Sequence, residues 1–227
     1  MSKVLLLFAV IPGLFLIYYA YKLDRIEKEP KSLLVKLFIF GALTIPVAII
    51  LERVSLNALA NILYGGGILY IFFENLFVGI IEEGVKMIAL LLGSWRNKNF
   101  NYLFDGIVYA VMVSLGFAVV ENIMYGVSYG FSTVLLRAVT SIPYHAIFSL
   151  FMGEYYGLAK MAAVSNNSAG ASKNMILAYM VPVLVHTLYD FGASIPGVGI
   201  VFFLVIFFFE YLCFKKVKKL ALMDKPL

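Results

Sequence analysis

Residues 68–92 read ILYIFFENLFVGIIEEGVKMIALLL, an apolar run that carries Glu82, Glu83 and Lys86 near its middle. About 20 helical residues cross a bilayer core, so the run is long enough to span. An ionisable side chain at that depth costs roughly 2.5–3.5 kcal/mol on insertion scales. Three together therefore need partners, a task, or both. On a helix Lys86 lies four residues after Glu82 and three after Glu83, within reach of either carboxylate. The adjacent glutamates diverge by about 100° around the axis, so they are not expected to face one point. One should serve the chemistry while Lys86 or a neighbouring span holds the other. Gly79 and Gly84 thin the helix and permit a second backbone to come close.

The rest of the chain extends this reading. Hydrophobic residues make up 63% and charged residues 14% of the 227 residues, with mean hydropathy +0.95. That balance excludes a soluble domain of any size. Spans are expected at about 3–22, 33–51, 68–92, 103–125, 132–158, 175–194 and 198–214. The fold class is all-α: one polytopic transmembrane bundle of about seven spans, a single domain over residues 1–227. The first run has no A-x-A-like cleavage site and stays apolar too long for a signal peptide, so it is read as a retained span. A short interfacial helix is expected over Leu56 to Tyr64, ended by Gly65-Gly66-Gly67.

Lys22, Arg25, Lys28, Lys31 and Lys36 lie around the end of the first span, Arg96 and Lys98 follow the third, and Lys160 and Lys173 follow the fifth. Five more lysines occupy the tail from Lys215 to Lys225. Positive-inside places the N-terminus outside and the C-terminus in the cytoplasm. The sequence pI near 9.1 reflects these span ends, so no nucleic-acid partner is implied. Cys213 is alone and cannot form an internal disulfide.

Other spans carry polar groups at depth. His186 and Asp190 are an i,i+4 pair, so the carboxylate can orient the imidazole. Pro182 precedes them by one turn and frees the Ala178 carbonyl. Arg137, Ser141, His145 and Ser149 recur every four residues, a polar stripe that should face the bundle or a water cavity, and Pro143 marks a break beside it. Glu121 and Asn122 lie toward the outer leaflet, where snorkelling is the plainer alternative to a role in the site. Glu52, Asp105 and Glu210 sit at span ends, with Glu74 and Glu154 near them, and are read as ordinary boundary charges.

Buried carboxylates beside histidines make a general base for water and a donor for a developing oxyanion. That is a hydrolase layout. H-E-x-x-H and G-x-S-x-G are both missing, which removes the corresponding zinc and serine mechanisms. Two histidines cannot form a His₃ site, although two His and one Glu could hold Zn²⁺. Catalysis by glutamate and histidine without a metal is the preferred reading. A proton-coupled transporter using the same buried Glu, His and Lys groups is the main alternative; a scaffold whose charges only pair helices is a third.

The motifs Glu82-Glu83-x-x-Lys86, Phe117-x-x-x-Glu121-Asn122, Pro143-Tyr144-His145 running on to Gly153, and His186-x-x-x-Asp190 resemble the signature blocks of the PrsW family of membrane proteases. Asp24-Arg25-x-x-Lys28-Glu29-Pro30 resembles that family too. More distantly the chain is similar to the CAAX prenyl endopeptidase and bacteriocin-immunity superfamily, whose motifs begin E-E-x-x-x-R. Lys86 in place of that Arg, and Glu121 where the wider group has histidine, favour PrsW. The resemblance implies a site-1 protease of the bacterial cell membrane, multi-pass, that cuts a single-pass membrane anti-sigma factor. Carried over by position, Glu82 and Glu83 include the water-activating base, His186 is essential, and Glu121 and His145 complete the site. Lys86, Asn122 and Asp190 support it.

Overall fold

A computed structural model describes residues 3–63, 66–197 and 199–227. Among these residues the chain forms eight α-helices. They are α1 (Lys3–Leu23), α2 (Lys31–Ile62), α3 (Ile68–Ser94), α4 (Asp105–Tyr129), α5 (Phe131–Val139), α6 (Ser141–Val164), α7 (Ser168–Ser194) and α8 (Gly199–Leu222). Helices α1, α2, α4, α7 and the α5–α6 pair are long and apolar enough to cross a membrane. Helices α3 and α8 have the length, 27 and 24 residues, but carry more charge. The protein is an all-helical, multi-pass membrane bundle.

Polarity runs from the outside in. Leu43, Ile50, Phe15 and Phe208 are more than half exposed on the rim of the bundle, whereas Glu82, Glu83, Lys86, His145 and His186 are each at most 5% exposed. Lipid replaces water as the outer solvent, so apolar side chains face out and ionisable ones seek each other inside.

Helix α4 is the central post. It is buried over most of its length and packs against α1, α2, α3, α5 and α6. Glycine permits this. A Cβ on Gly41 of α2 would lie 1.9 Å from the Val113 carbonyl oxygen, and one on Gly116 of α4 would lie 2.1 Å from that of Phe38. The α4–α6 contact is built the same way around Gly106 and Gly153.

Helices α6, α7 and α8 run six to eight residues beyond the expected spans at their cytoplasm-assigned ends, and two further differences change the elements themselves. Helix α2 continues to Ile62, so the separate interfacial helix over 56–64 is replaced by one long helix; Tyr64 and Gly65 lie outside the described residues. The expected span 132–158 is two helices joined at Thr140, where φ is −121° and ψ −78°. Pro143 has no N–H for the Val139 carbonyl, so the helix ends there and restarts with proline in its first turn. Thr140 Oγ1 caps the broken end by donating to the Leu136 carbonyl at 2.8 Å. Prolines 12, 46 and 182, by contrast, lie inside continuous helices.

One end of the bundle gathers the 24–30 loop, the 95–104 loop and the tail. Leu103 N donates to the Lys225 carbonyl and Leu227 N to that of Asn101, at 3.0 and 2.8 Å. Lys28 Nζ donates to the carbonyls of Tyr21 and Asp24. The Tyr109 hydroxyl donates to Glu29 at 2.6 Å. Asp24 and Glu29 are buried there. Burial pushes Asp24 up to about 6 and Glu29 up to about 7, with the bond from Tyr109 partly offsetting the latter.

Both values lie above those of the unfolded chain, so these groups favour folding at low pH and lose that contribution as pH rises through about 6 to 7. Amide-exchange protection factors at residues 24–30, corrected for the intrinsic pH dependence of exchange, should therefore be higher at pH 5 than at pH 8, and Glu29→Gln should reduce the difference. Gly41→Ala should lower thermal stability in detergent, by at least about 1–3 kcal/mol from overpacking. Gly84→Ala, whose added methyl would meet only Tyr179 at 3.5 Å, should be tolerated.

Candidate active site

A cavity of about 620 Å³ lies among α2 to α7. Glu82, Phe117, His145 and His186 line it at depth. Leu56, Tyr129 and Ser194, all near helix ends, line its other end, remote from the loops that meet the tail.

Lys86 organises the deep wall. Its ammonium donates to Glu82 Oε2 at 3.0 Å, Glu83 Oε1 at 2.9 Å and His145 Nδ1 at 3.2 Å. The Phe117 ring covers it, with the centroid 4.2 Å away. The expectation that the glutamates cannot share a focus is corrected here. At about 100° per residue, Lys86 projects between Glu82 and Glu83 around α3, and its long side chain brings both to one point. They still differ in access: Glu82 lines the cavity, while Glu83 is fully buried behind it.

An ammonium only donates, so Nδ1 of His145 must accept, and its Nε2–H then donates to Glu121 Oε2 at 3.0 Å. The same carboxylate oxygen is 2.6 Å from Arg137, whose guanidinium lies 3.9 Å over the Tyr125 ring. Glu121 is thus an inward partner of α5 and α6 and does not snorkel. Helix α6 is held to α4 by Ser114, whose hydroxyl donates to the His145 carbonyl at 2.8 Å.

His186 completes the set from α7. Its Nδ1 is 2.9 Å from Glu83 Oε1 and its Nε2 is 3.0 Å from Asp190 Oδ2, with Glu82 Oε2 at 3.9 Å. Both ring nitrogens face carboxylate oxygens, the hydrogen-bond pattern of an imidazolium. Phe148 stacks on the ring, 17° from parallel at 4.3 Å. Helix α7 comes close because Gly79 leaves room: a Cβ there would be 2.8 Å from Thr187 Oγ1.

The structure therefore brings Glu82, Glu83, Lys86, Glu121, His145, His186 and Asp190 into one network. Asn122 is not in it; buried behind Glu121, it donates to the Ala9 carbonyl of α1 at 3.2 Å. The polar stripe is split at Thr140, yet Arg137, Ser141 and His145 all line the cavity. Ser149 instead donates to the Ala146 carbonyl. Glu52 and Glu74, read as boundary charges, line the cavity too. A longer α2 makes Glu52 part of the wall; nothing in its local sequence marks this. Tyr125 was likewise without a signal, since aromatic residues are common near membrane interfaces.

Among the described residues, one group offers a metal three ligand atoms within 4.8 Å of one another: Glu82, Glu83 and His145. Those are the three residues that hold Lys86.

The chain matches the family described as "PrsW family intramembrane metalloprotease" over residues 29–213. It is 34% identical over 183 residues to Protease PrsW of Oceanobacillus iheyensis, covering 80% of this chain and 79% of that one. Protease PrsW of Bacillus subtilis is 33% identical over 186 residues, 80% of this chain and 79% of its own. That of Clostridioides difficile is 32% identical over 208 residues, 89% and 84%. No solved structure matches the chain. The metal in the family's description does not fit this donor set as it stands, because a buried ammonium and a divalent ion cannot share the same three acceptors. Family match and curated relatives alike span most of the sequence: the chain belongs to the PrsW family of intramembrane proteases.

Proposed function

We propose that this protein makes the first, extracytoplasmic cut in a single-pass membrane anti-sigma factor, using Glu82 as the base that activates water. The observation that carries the assignment is the difference in access between the paired glutamates: Glu82 lines the cavity, and Glu83 is sealed behind it. Water in the cavity can reach Glu82, lose a proton to it, and attack a peptide carbonyl held against the wall. The proton then passes from Glu82 to the leaving amine. His186 Nε2 is bonded to Asp190 at 3.0 Å and lies 3.9 Å from Glu82 Oε2, so it would stabilise the oxyanion by sharing that N–H between Asp190 and the substrate. Glu83 positions His186 and Lys86. Glu121 fixes the His145 tautomer, with Arg137 balancing its charge.

The basic loops and tail lie at one end of the bundle and the cavity opens toward the other. With the basic end in the cytoplasm, the cavity faces outward, where the juxtamembrane segment of a single-pass substrate would be presented.

In proteoliposomes with a single-pass substrate, Glu82→Gln should lower the cleavage rate by about 10²–10⁴-fold. His186→Ala should be similarly impaired, and both proteins should retain their helical content. Full cleavage by either variant would refute the assignment. For orientation, a cysteine replacing Ser128 at the cavity mouth should react with an impermeant thiol reagent in intact cells. One replacing Ser165 in the α6–α7 loop should react only after lysis; the reverse pattern would invert the topology.

A further inference from the structure

We infer that Lys86 is the resident cation of this site, occupying a pocket that becomes a divalent-metal site when the lysine is removed. The inference rests on the geometry around Nζ and goes beyond the choice of substrate.

An ammonium has three hydrogens and no acceptor capacity. Nζ of Lys86 has three acceptors at hydrogen-bonding distance: Glu82 Oε2, Glu83 Oε1 and His145 Nδ1. Its fourth side is closed by its own chain, and the Phe117 face lies over it. Every hydrogen is used, and the side chain is fully buried. This is a built cation site rather than a lysine passing through a crowded core.

The same three acceptors satisfy the requirements of a catalytic metal. Two carboxylates and one imidazole nitrogen within 4.8 Å of one another form a three-ligand set of the kind that binds Zn²⁺ with a position left open for water. The His145 tautomer also suits it: Nδ1 is unprotonated, and Nε2 is anchored on Glu121, the outer contact that orients metal-bound histidines. The one feature that bars a metal is the ammonium in the middle. In this chain, a covalently tethered monovalent cation stands where metal hydrolases carry an exchangeable divalent one. Lys86 is thus a positioning residue, holding Glu82 beside the cavity and His145 in a fixed tautomer.

The test is metal stoichiometry on the purified full chain in detergent, measured apart from cleavage, so that failure of the substrate assignment leaves it intact. After incubation with excess Zn²⁺ and desalting, the wild-type chain should retain less than about a tenth of a zinc per molecule. Lys86→Met, which keeps the bulk and removes the charge, should retain about one. Adding His145→Ala to Lys86→Met should abolish that binding. If Lys86→Met folds poorly, because two buried carboxylates have lost their counter-ion, Zn²⁺ in the refolding buffer should restore its helical content and monodispersity. The inference is overturned if the wild-type chain binds one zinc that is lost in His145→Ala. It is equally overturned if Lys86→Met folds without acquiring zinc, or fails to fold and is not rescued by it.

Discussion

A fully buried ammonium must find an acceptor for each of its hydrogens, and the interior of this bundle is arranged around meeting that demand for Lys86. Its acceptors come from α3 and α6, and their own remaining contacts reach α4 and α7. One cation therefore ties four helices into a single network. Truncating one partner of a buried ion pair generally costs about 3–5 kcal/mol, far more than a surface pair. The network is consequently part of what holds the bundle together as well as the proposed reactive centre.

The second constraint is main-chain proximity. Carboxylates and imidazoles on separate helices meet within 3 Å only if the helices themselves are close. Gly79 admits α7 to α3, Gly116 admits α2 to α4, and Gly153 admits α6 to α4. In a bilayer, where apolar side chains gain little by leaving lipid for protein, such close packing supplies much of the association energy. The glycines and the ionisable groups are interdependent: one set brings the walls together, and the other makes the meeting favourable.

Much of this was readable in the residues. Charges in the 68–92 run marked the helix at the heart of the buried network, i,i+4 spacing paired His186 with Asp190, and the ordered motifs pointed to the family. The convergence of Glu82 and Glu83 was missed because a helical wheel treats side chains as fixed radii, whereas a lysine has four methylenes with which to sit between two neighbours. Asn122 shares a motif with Glu121, yet adjacent residues on a helix face different partners, and here the partners are α1 and the cavity. The role of Glu52 depended on where α2 stops, which an apolar pattern fading gradually beyond residue 51 does not define. The break at Thr140 was signalled by Pro143, but the ring disrupts the chain upstream of itself, so the discontinuity lies three residues earlier.

The contact between Gly41 and Val113 bears on how such a protein tolerates change. Because nothing but polypeptide backbone separates α2 from α4 at that point, the spacing of the two helices there is independent of side-chain volume. Lipid-facing positions on α2 are free to drift among aliphatic and aromatic residues without shifting the helix against α4. Selection on the shape of the chamber then falls on a few small residues remote from the chemistry.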